Sequence, residues 1–359
     1  MPAPKLYLPY ADWPQDDRTR WEVAFKSGTD PFGDCGSASH LAEPTRLGLQ
    51  HGYAKFLAFL TAHHSNLLAR PPAARLDREI IEAYVKWQPA SCGSVTIVTY
   101  LRQLRDALRF ICPGEDLAWL LTIIKRLASQ ARPKAEKHHI VTSEALYQLG
   151  IQLMDSAIAG SEAAKKLSKV HAFAYRDGLL IALLALVPLR LRTLTALRIG
   201  KQVVQLGNMW ALEIPAKDLK TKRPLEFPIS DELTWRLNLY LKKFRCRIPG
   251  AQNHDYLWAS DQSRGMVDGA IYAMIRRRTY QALGFAVNPH RFRRAAATFW
   301  SSRDPANVRG VKDLLGHVSF STTEKHYIMA QSRVAGRVLA RAIGGNWKGM
   351  SIGRANRRA

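Results

Sequence analysis

The sequence predicts a mainly α-helical protein with a small β-sheet (α+β), built as two domains joined by a linker. Three observations carry that expectation. Apolar residues recur at helical spacing between Thr45 and Ala131. A strand–turn–strand pattern surrounds Gly207 and Asn208. Length agrees: 359 residues, at roughly 100–200 per domain, fit two domains with ample chain to bury a core. Apolar residues make up 47% and charged residues 23%, which excludes disorder as the main state.

Residues 1–40 read as an irregular N-terminal extension with one short helix around 18–25, and no function is assigned to them. Residues 41–131 read as a helical domain. Leu49, Tyr53, Phe56, Leu57 and Leu60 form its first amphipathic stripe. A second helix covers 77–87. In the third, Ile97, Leu101, Leu104, Leu108 and Ile111 make one face, while Arg102, Arg105 and Arg109 lie on another. Three like charges on one helix side repel, so a nearby polyanion explains them; a solvated surface is the competing reading. A fourth helix follows at 116–131.

Residues 132–143, with Lys134 and Lys137, read as a basic linker, and a solvated hinge competes with a role in following a polyanion. Thr142 or Ser143 then caps a new helix. Residues 144–343 mix types. Helices are expected at 143–156 and 164–187. KQVVQL, a turn at Gly207-Asn208, MWALEIPAK and the strand PLEFPI follow. Helices resume at 231–243, 267–283, 290–302, 307–315 and 322–330. Residues 344–359 read as a basic tail.

Charge is the unusual quantity. With 53 Lys+Arg against 29 Asp+Glu, the net charge is +24. That points to a polyanionic partner, nucleic acid first and an acidic membrane surface second. A protein that merely coats nucleic acid by charge would not need this much apolar core. The longest apolar run, residues 178–189, is too short for a membrane span of about 20 residues, so it reads as a buried helix. Cys35, Cys92, Cys112 and Cys246 lie far apart without CxxC pairing. That spacing argues against a zinc site or a disulfide framework and suits a reducing compartment. The opening residues lack a charged-then-apolar signal pattern. The expectation is a soluble, cytoplasmic protein without metal or cofactor.

Several features of the second domain carry chemistry rather than fold maintenance. NPHRFRR puts His290 and Arg293 three apart in the opening turn of a helix, beside free backbone N–H groups and the positive dipole end, where an anion is favoured. In VKDLLGHVSFSTTEKHY, Gly316 suits the left-handed position after a helix, and His317 follows it in a tight turn. A capping box at 321–324 then starts a short helix bearing Tyr327. KTKRPLEFP places Lys220, Lys222 and Arg223 on a hairpin turn. LVPLRLRTLTALRIG ends the buried helix in Arg190.

As an ordered set, these motifs resemble the tyrosine recombinase (phage integrase) family over roughly residues 140–330. Segment 41–131 looks like the family's core-binding domain by position and helix count. By this resemblance the protein is a helical N-terminal DNA-binding domain followed by a tyrosine-recombinase catalytic domain. Arg190 takes the place of the first catalytic arginine, and Lys220 that of the hairpin lysine, with Lys217 and Lys222 as fallbacks. His290 and Arg293 match the HxxR pair, His317 the LLGH histidine, and Tyr327 the nucleophile. Two departures stand out. The family commonly has an acidic residue three after the first arginine, where this chain has Thr193. Tyr327 also lies one residue farther from the LLGH histidine than in many members.

The implied activity is site-specific cleavage and rejoining of double-stranded DNA through a 3′-phosphotyrosyl link, by a homotetramer on paired sites. Arg102, Arg105, Arg109, Lys134, Lys137, Arg276 and Arg277 are the expected DNA-binding residues, with a solvated surface as the alternative for the cluster 276–278. Two rival readings are a type IB topoisomerase-like nicking-closing enzyme and a catalytically inactive DNA-binding regulator. The LLGH and HxxR forms favour the recombinase over the first. The full set of polar groups disfavours the second.

Overall fold

A computed structural model of the chain describes residues 6–28, 33, 35–89, 91–132, 139–220 and 222–303. The helices predicted at 307–315 and 322–330, most of the basic linker and the tail lie outside these residues. The chain divides into two units, Met1–Lys137 and His138–Ala359, each described here by itself.

The first unit is helical: α1 (Gln15–Ala24), α2 (Glu43–His63), α3 (Arg78–Trp87), α4 (Ser94–Ile111) and α5 (Ala118–Gln130). The predicted stripes become its core, with Tyr53, Phe56, Leu57 and Leu60 of α2 against Leu101, Leu104 and Leu108 of α4. Asp77 caps α3 by accepting the Ile80 N–H at 2.8 Å.

The core begins well before residue 41, where the sequence reading starts the domain. Trp13, Trp21 and Phe25 are buried in it, and Trp13 meets Trp21 edge to face at 5.4 Å. The reason this was hidden lies in α1 itself. Its buried stripe is only Asp17, Trp21 and Ala24, so a carboxylate occupies a core position and blurs the amphipathic pattern. Asp17 is tolerated there because Arg75 donates to both its oxygens at 2.6 and 2.7 Å and the Tyr53 hydroxyl donates at 2.9 Å.

The second unit opens with α6 (Ser143–Ala163), capped by the Thr142 hydroxyl, and α7 (Lys169–Leu186), capped by Ser168. The break between them comes at 164–168, where Lys165 adopts a left-handed φ of 47°. Thus α6 runs beyond the predicted end at 156, and α7 starts later than 164. The two helices cross backbone to backbone. A Cβ on Gly178 would fall 2.6 Å from the Gly150 carbonyl oxygen, and one on Gly150 equally close to the Gly178 carbonyl. After the short α8 (Leu191–Thr195) come β1 (Val203–Leu206), β2 (Met209–Ile214) and β3 (Leu225–Pro228), an antiparallel sheet in the order β1-β2-β3. Val203 pairs with Leu212, and Leu212 with Phe227. Gly207 supplies the positive φ of 60° at the first hairpin turn. Then follow α9 (Asp231–Leu239), a π turn (Tyr240–Phe244), α10 (Asp268–Leu283) and α11 (Pro289–Arg303). The apolar run at 178–189 is the buried spine of this unit, as expected, with Leu180, Ile181 and Leu184 fully enclosed. Among the described residues, no helix is long and apolar enough to cross a membrane.

Candidate active site

Pro188 cannot continue α7, and the residue before it, Val187, turns extended. The chain therefore leaves the buried helix and re-enters α8 two residues later, with Arg190 as its N-cap residue at φ −68°, ψ 146°. The Arg190 carbonyl accepts the Leu194 N–H at 2.9 Å. This fixes its backbone while its side chain stays partly open to solvent. Thr193, at the position where the resemblance leads one to look for an acid, is buried.

Helix α11 packs against α7. Asn288 accepts the Arg291 N–H at 3.1 Å through its side chain, and Pro289 opens the helix. Phe292 and Ala295 anchor α11 in the core of the unit. That anchoring carries Arg293 inward, to 8% exposure, where its Nη1 donates to the Pro188 carbonyl oxygen. The guanidinium of Arg293 is thus bound to the same bend that presents Arg190.

The two arginines are electrostatically coupled. Burial, followed by repulsion from Arg190, pushes the Arg293 guanidinium down to about 10. A guanidinium stays charged at any working pH, so this depression registers as electrostatic stress. His290 is held below its ordinary value by desolvation first, then by Arg293, Arg294 and Arg190, although part of the residue remains open to solvent. Arg190 at the α7–α8 bend and His290 and Arg293 of α11 therefore share one electrostatic neighbourhood. Such an arrangement becomes favourable when an anion with several acceptor oxygens sits among them.

Of the other residues singled out in the sequence, Lys220 is exposed in the β2–β3 connection, beside the buried Leu219 that pins the turn. Among the described residues it makes no hydrogen bond or ion pair. Lys217 and Lys222 are exposed as well, and Lys222 takes a left-handed φ of 54°. His317, Tyr327, Lys134 and Lys137 lie outside the described residues. Arg102 and Arg109 are exposed on α4, whereas Arg105 is half-buried and bonded to Asp106 at 2.9 Å.

The cluster 276–278 divides. Arg276 lies exposed, 5.6 Å from the Tyr272 ring. Arg277 is mostly exposed, 3.7 Å from Asp177. Arg278 turns inward and donates to Asp177 at 2.9 Å. Asp177 is fully buried on α7 and is also bonded by Arg176 at 2.7 Å. Sequence reasoning missed this carboxylate hub, although an Arg-Asp pair inside an apolar helix is a visible signal for it. It also missed Arg294, which shares the His290 face of α11 one turn on.

Residues 159–333 match the phage integrase family, an interval that contains Arg190, Lys220, His290, Arg293, His317 and Tyr327. Tyrosine recombinase XerD of Pseudomonas aeruginosa is 30% identical over 108 residues; the match spans 30% of this chain and 36% of that protein. In fold, the chain is similar to XerH site-specific recombinase bound to difH substrate in a pre-cleavage complex. There the TM-score is 0.52 at 16% identity, covering 81% of this chain and 79% of that one. A post-cleavage complex of XerH with palindromic difH substrate gives a TM-score of 0.54 at 11% identity, covering 90% and 95%. The helical architecture and the small antiparallel sheet agree with that match, and residues 159–333 of the chain belong to the phage integrase family.

Proposed function

We propose that the protein is a site-specific DNA recombinase that cleaves and rejoins strands through a 3′-phosphotyrosyl intermediate. The observation that carries this reading is that Arg293, which shares α11 with His290, bonds the Pro188 carbonyl in the same bend that presents Arg190. A phosphodiester under attack becomes pentacoordinate and gathers charge on its equatorial oxygens. Fixed cations at that point stabilise the transition state more than the ground state.

In this reading Arg190 and Arg293 hold those oxygens, and His317 adds a further donor. Tyr327 is the nucleophile. Its phenol, with an ordinary pKa near 10, transfers its proton to His290, which desolvation and then the surrounding cations keep neutral and so able to accept it. Lys220, exposed on its hairpin, protonates the departing 5′-oxygen. The new phosphotyrosyl ester retains the phosphodiester energy, and a 5′-hydroxyl of a second duplex reverses the step onto a new partner. Thr193 at the usual acidic position removes none of the reacting groups.

The duplex is held by phosphate contacts from basic residues of both units, with Arg102, Arg105, Arg109, Lys134, Lys137, Arg276 and Arg277 proposed among them. The active assembly is a homotetramer on two paired sites, acting in the cytoplasm. A nicked suicide duplex tests the chemistry. The native chain forms a covalent protein–DNA adduct on denaturing gels, and Tyr327→Phe abolishes it. An adduct surviving that substitution assigns the nucleophile elsewhere.

A further inference from the structure

The turn that opens α11 is clasped by His139, the first described residue of the second unit. The His139 ring lies face to face on Phe285, with centroids 4.3 Å apart and planes 13° from parallel. Its backbone carbonyl oxygen accepts a hydrogen bond from Arg291 Nη1 at 3.4 Å. Phe285 precedes α11 and packs against the core of the unit, and Arg291 lies in the first turn of α11. One exposed residue thus holds the chain on both sides of His290.

The rest of the turn is fixed by its own neighbours. Gly284, at a left-handed φ of 76°, ends α10. The Thr279 hydroxyl accepts the Val287 N–H at 2.9 Å, and the Asn288 side chain accepts the Arg291 N–H at 3.1 Å. Phe292 is enclosed in the core. His290 itself is exposed and, among the described residues, its ring makes no hydrogen bond. No bonded partner therefore aims the imidazole; its direction follows the backbone of the turn and the rotamer which that backbone allows. Arg291 stands between His290 and Arg293 in the chain, with its guanidinium drawn to residue 139. A shift of residue 139 thus acts on the turn that presents both site residues.

We propose that His139 is a positioning residue for the reaction: its stack on Phe285 and the bond it accepts from Arg291 hold the first turn of α11 in the pose from which His290 takes the phenol's proton. This assignment rests on the recombinase reading above and adds to it a residue that the sequence places in the linker, far from every motif of the site. The contribution is geometric. A group that wanders occupies the productive pose for only part of the time, and the rate falls in that proportion. Loss of one aromatic pair changes such a population by about three- to tenfold. Affinity for the duplex, set by phosphate contacts spread over many basic residues, is not expected to follow.

Single-turnover cleavage of the nicked suicide duplex by the full chain tests it. His139→Ala is expected to slow adduct formation about three- to tenfold, with an affinity on retardation gels equal to that of the parent. His139→Phe, which keeps the ring face and the backbone carbonyl, is expected to restore the parental rate. A second readout needs no cleavage. In the NMR spectrum of the free, histidine-labelled chain, the His290 signal is expected to move in His139→Ala and to return in His139→Phe. Either a rate or a His290 signal that stays parental in His139→Ala overturns the proposal. So does a loss of affinity equal to the loss of rate, which would make His139 a duplex contact instead. If the parent forms no adduct at all, the recombinase reading fails, and the His290 signal still decides whether residue 139 positions the turn.

Discussion

Two buried arginine centres, one in each unit, make opposite use of the same side chain. In the first unit Arg75 is almost fully enclosed and meets Asp17 through a bidentate fork, while its remaining donors reach the carbonyls of Arg70 and Leu68 at 2.7 and 3.0 Å. Tyr53 completes the carboxylate. In the second unit Arg293 is nearly as buried, but the charges that set its energy are its own desolvation and the neighbouring Arg190. The first centre is electrostatically closed. In the second, burial and then a neighbouring guanidinium oppose the charge. Burial alone therefore says little about function; the two centres differ in that Arg75 lies against a carboxylate, whereas Arg293 bonds a backbone carbonyl and is opposed by Arg190.

The largest effect expected from this contrast is on folding. Arg75→Met strands Asp17 in the core, and breaking such a pair costs about 3–5 kcal/mol, read as an earlier urea transition by circular dichroism. A variant as stable as the parent would mean that Asp17 is solvated and the centre is not closed. Next comes chemistry. Arg293→Ala is expected to slow adduct formation on a suicide duplex by roughly 10²–10³, the typical loss for one oxyanion donor. Its urea midpoint is expected to stay close to that of the parent. If Arg293→Ala unfolds the second unit instead, the two centres are alike and the proposed site is structural.

The α6–α7 crossing supplies a control that touches neither centre. Gly178→Ala forces a methyl against the Gly150 carbonyl, for an expected loss of about 1–3 kcal/mol, measured by thermal unfolding.

The smallest effect is on pH. The pKa of His290 is lowered in the folded chain, so the unfolded chain binds its proton first as pH falls. Stability from this residue is intact above the ordinary histidine value near 6.5 and declines as pH drops through it toward the folded value. An oxyanion among the guanidiniums reverses the shift. In an NMR titration, the His290 resonance should move to a higher midpoint when sulfate or duplex is added; a midpoint that ignores both would remove His290 from the anion site.

Much of this was legible in residue order. The stripes of α2 and α4, the hairpin at Gly207, the helix start at Asn288-Pro289 and the arginine after Pro188 are all local signals, because capping, turn formation and helical periodicity act over a few residues. The ordered set of motifs, from the arginine after the apolar helix through the hairpin lysine, HxxR and LLGH to the downstream tyrosine, carried the family resemblance.

What the chain order left open is the fate of individual charges. Arg278 and Arg276 are two residues apart, yet one is drawn into Asp177, a hundred positions earlier, while the other faces solvent beside Tyr272. Asp17 looks like a surface acid until Arg75 and Tyr53 fold over it, and Lys55 looks like any helix lysine until Trp87 and Tyr100 enclose it. The sequence by itself determined the elements, the residue types of the site and the kinship of the chain. Only the tertiary structure decided which cations lie against a carboxylate and which lie beside another cation. A charge is written the same way whether its partner is water, a carboxylate or another guanidinium, and its energy depends on that partner's distance in space rather than its place in the chain.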